Sequence, residues 1–224
     1  MQQIFIIALS AIMTFALPGQ TPYAYKLAVL KYSGGGDWYA NPSALSNLSK
    51  FANQQLSARI DPEYATVEAG ASELFNYPFV HMTGHGNVVF NEQEVRNLRA
   101  YLEAGGFLHI DDNYGMDQFI RKELNKIFPD QKAEALPPNH PVFRQKFTLR
   151  KGLPKIHQHD AEPPQALVYR LEGRMVLLYT TESDLGDGWE DQAVHNDPEE
   201  KRKLALQMGL NILQFVLTGQ NEPN

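Results

Sequence analysis

From position 26 onward, short apolar runs alternate with apolar residues at helical spacing, and most runs stop at glycine or carboxylate clusters. Leu27-Ala28-Val29-Leu30 is continuous, as a strand covered on both faces requires, and ends at Tyr32-Ser33-Gly34-Gly35-Gly36. Leu45, Leu48, Ala52 and Leu56 then recur at helical spacing behind Pro42-Ser43, a helix start. Phe79-Val80-His81-Met82 predicts a second strand, broken at Thr83-Gly84-His85-Gly86. Asn91 and Glu94 form a capping pair for a helix carrying Val95, Leu98, Tyr101 and Leu102, which stops at Gly105-Gly106. Phe107-Leu108-His109-Ile110 predicts a third strand ending in Asp111-Asp112-Asn113, and a helix starts near Asp117 to bury Phe119, Ile120 and Leu124.

The pattern changes over residues 128–165, a proline-rich segment that includes Pro137-Pro138, Pro141, Pro154 and Pro163-Pro164. A long irregular segment inside a compact domain is uncommon and usually functional. Strands resume at Ala166–Arg170 and Met175–Thr181 around a Glu172-Gly173 turn, a hairpin spacing that makes the sheet edge mixed. A last helix from about Pro198 to Leu217 is apolar nearly all round in its second half and should pack deeply. The expected fold class is α/β, an open, mostly parallel sheet flanked by helices.

Ahead of this lies Ile4 to Leu17, apolar and uncharged, shorter than the roughly 20 apolar residues a membrane span takes. Thr14 and Ala16 are small residues at signal-peptidase spacing, so residues 1–20 read as a signal peptide cleaved after Ala16, with one domain over 21–224. Met1-Gln2-Gln3 brings no Lys or Arg, and a retained anchor or a buried strand is the alternative. The chain is thus expected to be exported, to the periplasm or out of the cell. Composition narrows the chemistry. With 224 residues and a net charge of −6, the chain suits one acidic domain and lacks the clustered Lys and Arg of a nucleic-acid surface. Having no cysteine, it has no disulfide, thiolate metal site or cysteine nucleophile.

In open α/β sheets the ligand crevice lies beyond the carboxyl ends of the strands. Four polar clusters fall there: Gly34-Gly35-Gly36-Asp37-Trp38, Thr83-Gly84-His85-Gly86, Asp111-Asp112-Asn113, and Glu182-Ser183-Asp184 with Gly186-Asp187-Gly188-Trp189. The triple glycine reads either as an anion cradle or as a flexible turn, without the lysine and spacing of a P-loop. His81 lies inside its strand and reads as a core histidine, while His85 is a rim candidate. Asp111 and Asp112 point to opposite sides of an extended chain, so one can cap the next helix while the other faces the crevice. His157 and His159 alternate on one side of an extended stretch and, with Asp160, could chelate an ion; a loop held by imidazole–carboxylate hydrogen bonds is the alternative. His195-Asn196-Asp197 adds an imidazole and a carboxylate. Such nitrogen and oxygen ligands suit a divalent metal. The acidic run from Glu182 to Asp191 lacks EF-hand spacing and reads as a solvated loop, and neither Ser33 nor Ser183 sits in G-x-S-x-G. Trp38, Tyr39, Tyr114 and Trp189 would suit stacking on a sugar.

YSGGGDWY, LEAGGFLHIDDNYGMD, HPVF, GLPKIHQHD, and YTTESDLGDGWED followed by VHNDPEEKR resemble the bacterial family catalogued as domain of unknown function 4159, over about residues 26–218. The order of elements is also similar to class I glutamine amidotransferase-like domains of the trehalose-utilisation type, which implies a flavodoxin-like open sheet. In those domains a helix ending Ala-Gly-Gly leads into the strand before the nucleophile. Here Ala104-Gly105-Gly106 leads to Asp111, which falls near the place of the cysteine and excludes thioester chemistry. The expected function is therefore a metal-assisted hydrolase, or a derivative that binds a small molecule or glycan. Asp111, Asp112, His85 and Asp37 are its candidate catalytic residues. Gly34, Gly35, Gly36, Trp38, Asn113, Tyr114, Glu182, Asp184 and Trp189 would line the ligand, and His157, His159 and Asp160 would hold the metal. The alternative is a non-catalytic module that docks an envelope protein through the same loops.

Overall fold

The computed structural model describes residues 23–219, so the apolar run over 4–17 and its expected cleavage site lie outside the described residues. Five parallel strands form the body of the sheet: β1 (Tyr25–Lys31), β2 (Ile60–Glu68), β3 (Phe79–Gly84), β4 (Phe107–Asp112) and β7 (Arg174–Thr181). Two antiparallel strands, β6 (Gln165–Leu171) and β5 (Glu134–Ala135), complete a seven-stranded sheet in the order β2-β1-β3-β4-β7-β6-β5. The fold is thus the open, mostly parallel α/β sheet with a mixed edge, consistent with a flavodoxin-like arrangement. Strand β2 has no continuous apolar run: mainly Ile60 and Val67 are buried, and Pro62 is tolerated because the strand lies at the sheet edge.

Helices cover both faces. On one lie α1 (Ala44–Leu56), the short α4 (Leu185–Trp189) and α6 (Glu199–Leu217), packed on one another around Leu48, Met208 and Trp189. On the other lie α2 (Glu92–Glu103) and α3 (Asp117–Ile127), over Val80, Leu108 and Leu177. Asn91 caps α2 through a complete capping box with Glu94. The run from Glu182 to Asp191 is not a solvated loop: its centre is α4, with Leu185 and Trp189 fully buried. Its period was obscured because Gly186 and Gly188 stand where close packing leaves no room for a side chain. A Cβ at Gly188 would strike Ala205 of α6. Burying an indole removes roughly 200 Å² from water and favours folding by about 5 kcal/mol.

The proline-rich segment is a strap across α6. Val142, Phe143, Leu149, Leu153 and Ile156 bury into the same core, and Asn211 of α6 bonds both backbone polar groups of Phe147, at 3.0 and 2.7 Å. The strap reaches the sheet edge where the Ile156 N–H donates to the Ser183 carbonyl at 2.8 Å, which sets the next residue, His157, over the end of β7. Among the described residues no helix is long and apolar enough to cross a membrane.

Candidate functional site

Alternation along the strands places residues 79, 81 and 83 of β3 on one face, beside 107, 109 and 111 of β4. The resulting ladder grades from apolar to polar toward the carboxyl edge. Phe79 stacks on Phe107 with ring centroids 5.7 Å apart, and His81 stacks on His109 at 5.1 Å. Thr83 and Asp111 form the top rung, with Thr180 of β7 beside Asp111. Hydrogen bonds run up it: His81 Nδ1 to His109 Nδ1 at 3.1 Å, His109 Nε2 to Thr180 Oγ1 at 3.1 Å, and Thr180 Oγ1 to Asp111 Oδ1 at 2.5 Å. Burial drives both imidazoles neutral, His81 down to about 3. Burial likewise pushes the Asp111 carboxyl well above the usual range, aided by Asp184 and Asp187, against the pull of its donors. Asp111 Oδ2 accepts the Gly186 N–H at 2.7 Å, so this enclosed carboxyl holds the start of α4.

Above the ladder, three segments converge on one imidazole. His157 Nδ1 lies 3.0 Å from Asp187 Oδ2 and 3.4 Å from Asp184 Oδ2, while its Nε2 meets Asp197 Oδ2 at 2.9 Å. His159 Nε2 meets the same Asp184 oxygen at 2.5 Å, and His195, at the end of α5 (Gln192–His195), approaches Asp187 at 3.7 Å and Glu190 at 3.4 Å. Two overlapping sets result, His157 with Asp187 and His195, and His157 with His159 and Asp184; within each set the ligand atoms lie within 4.8 Å of one another. Hydrogen bonds to Asp184 and Asp187 push His157 up to about 10. Burial opposes ionisation of Asp187, yet bonds from His157 and Asn41 keep its carboxyl below the ordinary value. Asp184 is fully buried, its Oδ1 has no hydrogen-bond partner, and its backbone is left-handed at φ 58°, as is that of Glu182. Such conformations cost roughly 1–3 kcal/mol each and persist where the surroundings impose them.

Asp187 is aimed by amides from the other side of the crevice. Its Oδ1 accepts from Asn41 Nδ2 at 2.6 Å and Asn113 Nδ2 at 3.0 Å; Thr83 Oγ1 lies 2.8 Å from Asn41 Oδ1 and 2.9 Å from Asn113 Oδ1. Asp112 points to the opposite face, where it caps α3 through the N–H groups of Met116 and Asp117 at 2.9 and 3.0 Å. The triple glycine is a packing seam: the Gly36 N–H donates to the Asn87 carbonyl at 2.9 Å and the Gly34 carbonyl accepts from Asn87 Nδ2 at 3.0 Å. Gly35 is open, with no neighbour that an added Cβ would meet. That seam sets Asp37 against His85, with Oδ2 to Nδ1 at 3.0 Å.

Trp38 is half-buried and packs edge-on to the exposed Tyr39, with centroids 5.4 Å apart. Tyr114, left-handed at φ 87°, stacks on the His159 ring at 4.5 Å and so holds a candidate ligand rather than presenting both faces to a sugar. Trp189 cannot stack on a ligand: it is fully buried, its Nε1 donates to the Ala205 carbonyl at 2.8 Å, and its ring packs on His81 and His109. Glu182 pairs with Lys155 at 2.9 Å. Asp160 stands apart from both ligand sets, its Oδ1 accepting the Glu162 N–H at 2.8 Å, and Asp184 occupies the place expected for it. Sequence reasoning missed Asn41, whose position before α1 reads only as a helix start. It also left Asp187 and His195 ungrouped with His157, because no spacing rule links three separate loops.

A family model described as Domain of unknown function (DUF4159) matches residues 26–217. No curated protein matches the chain.

Proposed function

Because the chain belongs to the DUF4159 family, which carries no activity in its description, the site must argue for itself, and we propose a divalent-metal-dependent hydrolase acting on a small molecule or glycan. The observation that carries this reading is that His157 is shared by two ligand sets, one with Asp187 and His195 and one with His159 and Asp184, and that a buried carboxylate oxygen of Asp184 lacks a partner. Imidazole and carboxylate ligands without sulfur suit zinc or manganese. His157 would bind through Nδ1 while Nε2 is held by Asp197, the outer carboxylate that fixes a metal-ligating imidazole. Asn41 and Asn113 hold Asp187 in the same way. Such an ion polarises a carbonyl or lowers the pKa of a bound water. Tyr39, exposed beside Trp38, supplies an aromatic face at the rim.

The same proposal includes export, supported by the apolar run Ile4–Leu17 and the small residues Thr14 and Ala16 at its end, and an amidotransferase-like ancestry in which Asp111 stands at the end of β4 in place of a nucleophile. Metal analysis of the purified protein by mass spectrometry tests the core of it. About one zinc or manganese per chain is expected, with His157→Ala and Asp187→Asn both losing it while remaining folded. A protein without stoichiometric metal, whose His157→Ala variant behaves as wild type, is instead a non-catalytic docking module.

A further inference from the structure

The imidazoles and carboxylates of the proposed centre pair with one another and would be the ligands of the ion, so the base comes from a different group. A second imidazole–carboxylate pair stands just past the carboxyl end of β3, at the same edge of the sheet. Asp37 Oδ1 accepts the His85 backbone N–H at 2.5 Å and Oδ2 lies 3.0 Å from His85 Nδ1. A carboxylate in that position holds the proton on Nδ1 and leaves Nε2 as an acceptor. Nε2 has no partner among the described residues, and the His85 side chain is 53% exposed. We propose that His85 is the general base of this site, oriented by Asp37, and that the bond hydrolysed joins an uncharged acyl group to oxygen or nitrogen; the inference rests on the metal-centre reading above.

Three features single this pair out from an ordinary surface contact. The backbone is built to hold it: a Cβ at Gly84 would strike Tyr32 Oη and lie 3.0 Å from Asp37 Oδ1, and one at Gly36 would lie 2.7 Å from the His85 carbonyl oxygen. The pair is also tied to the centre. The Gly84 carbonyl, next to His85, accepts the Asn113 N–H at 3.3 Å, and the Asn113 side chain donates to Asp187, so Asn113 links the backbone beside the base to a proposed metal ligand. Charge then selects the substrate. Asp37, Asp184, Asp187, Glu190 and Asp197 surround the crevice, whereas three basic residues on its framing segments are engaged. Lys155 is paired with Glu182, Lys201 with the Ile156 carbonyl and Arg202 with the Glu190 carbonyl. An anionic phosphoester meets a rim of carboxylates whose nearby cations Lys155, Lys201 and Arg202 are already engaged, while a neutral ester or amide meets no repulsion.

In the hydrolytic step Nε2 takes a proton from water as the water oxygen bonds to the carbonyl carbon and the π pair moves to the carbonyl oxygen. When that pair returns, the bond to the leaving oxygen or nitrogen breaks, and Nε2–H returns its proton to the leaving atom. The products are a carboxylic acid and an alcohol or amine, and no redox partner is needed.

The test uses purified protein loaded with zinc or manganese, p-nitrophenyl acetate and p-nitrophenyl phosphate as probes, and bound metal per chain as a second readout. Metal-dependent hydrolysis of the acetate alone is expected. His85→Asn should keep its metal and lose about 100-fold or more in rate. Asp37→Asn should also keep metal and lose rate, because an amide reverses the tautomer; imidazole nitrogen NMR should show the His85 proton move from Nδ1 to Nε2. Hydrolysis of the phosphate instead, an inert but metal-loaded wild type, an unimpaired His85→Asn, or loss of metal in either variant overturns the proposal. A wild type that binds no metal overturns the centre itself.

Discussion

At the scale of single residues, the most consequential pair is His81 and His109, two neutral imidazoles stacked beneath the crevice. Folding holds His81 near 3, whereas unfolded histidine titrates at about 6.5. On acidification the unfolded chain therefore takes up protons first, so stability fully present above about pH 6.5 is lost as the pH falls toward 3. Urea midpoints measured across that window should decline steadily, and the double variant His81→Leu/His109→Met should flatten the decline. Gly84 makes a second prediction. With φ at +138° and Tyr32 and Asp37 against its Cα, Gly84→Ala should destabilise by about 2 kcal/mol or more in urea titrations. Residue identity was legible where chain direction alone decided it. Asp111 and Asp112 had to face opposite ways, and one of them caps α3. It was illegible for Asn41, whose importance comes from residues 42 to 146 positions away.

Elements were readable wherever an apolar run or helical spacing was unbroken, as in β1, β3, β4 and α6. They failed to read where burial was one-sided or where glycine interrupted the pattern. Edge strand β2 has few buried positions, and α4 hides behind Gly186 and Gly188. The strap shows why a proline-rich segment need not be loose. Its apolar residues are buried in the α6 face, and Asn211 clamps its backbone at Phe147. Replacing Asn211 by Ala takes the partner from two part-buried backbone groups and should cost about 1–3 kcal/mol. If the strap delivers His157 as argued, the variant should also weaken metal binding in a calorimetric titration while far-ultraviolet circular dichroism stays native. At α3, Asp112→Ala removes both cap acceptors and should cost about 1–2 kcal/mol, whereas Asp112→Asn keeps one acceptor and should cost less.

On the scale of the whole molecule, the sheet is assembled largely from the first half of the chain, while every proposed metal ligand comes from residues 157–195. The rim rule for open sheets located the crevice, because strand order alone fixes which loops meet there. It could not say that the strap would supply the central imidazole, since that depends on where a long connection crosses a helix. This division has a consequence for how the protein opens. Residues 157–160 and 191–197 are mostly exposed and held to the rest mainly by side-chain bonds, whereas α4 beside them is core, so these two loops should open locally at low free energy. Amide hydrogen exchange should find them exchanging through local opening while β1, β3 and β4 exchange only on global unfolding. A bound ion would slow the first set alone, by roughly the factor 1 + [ion]/Kd. The centre would then act as a latch on one exchange unit, leaving the sheet beneath it indifferent to whether the latch is closed.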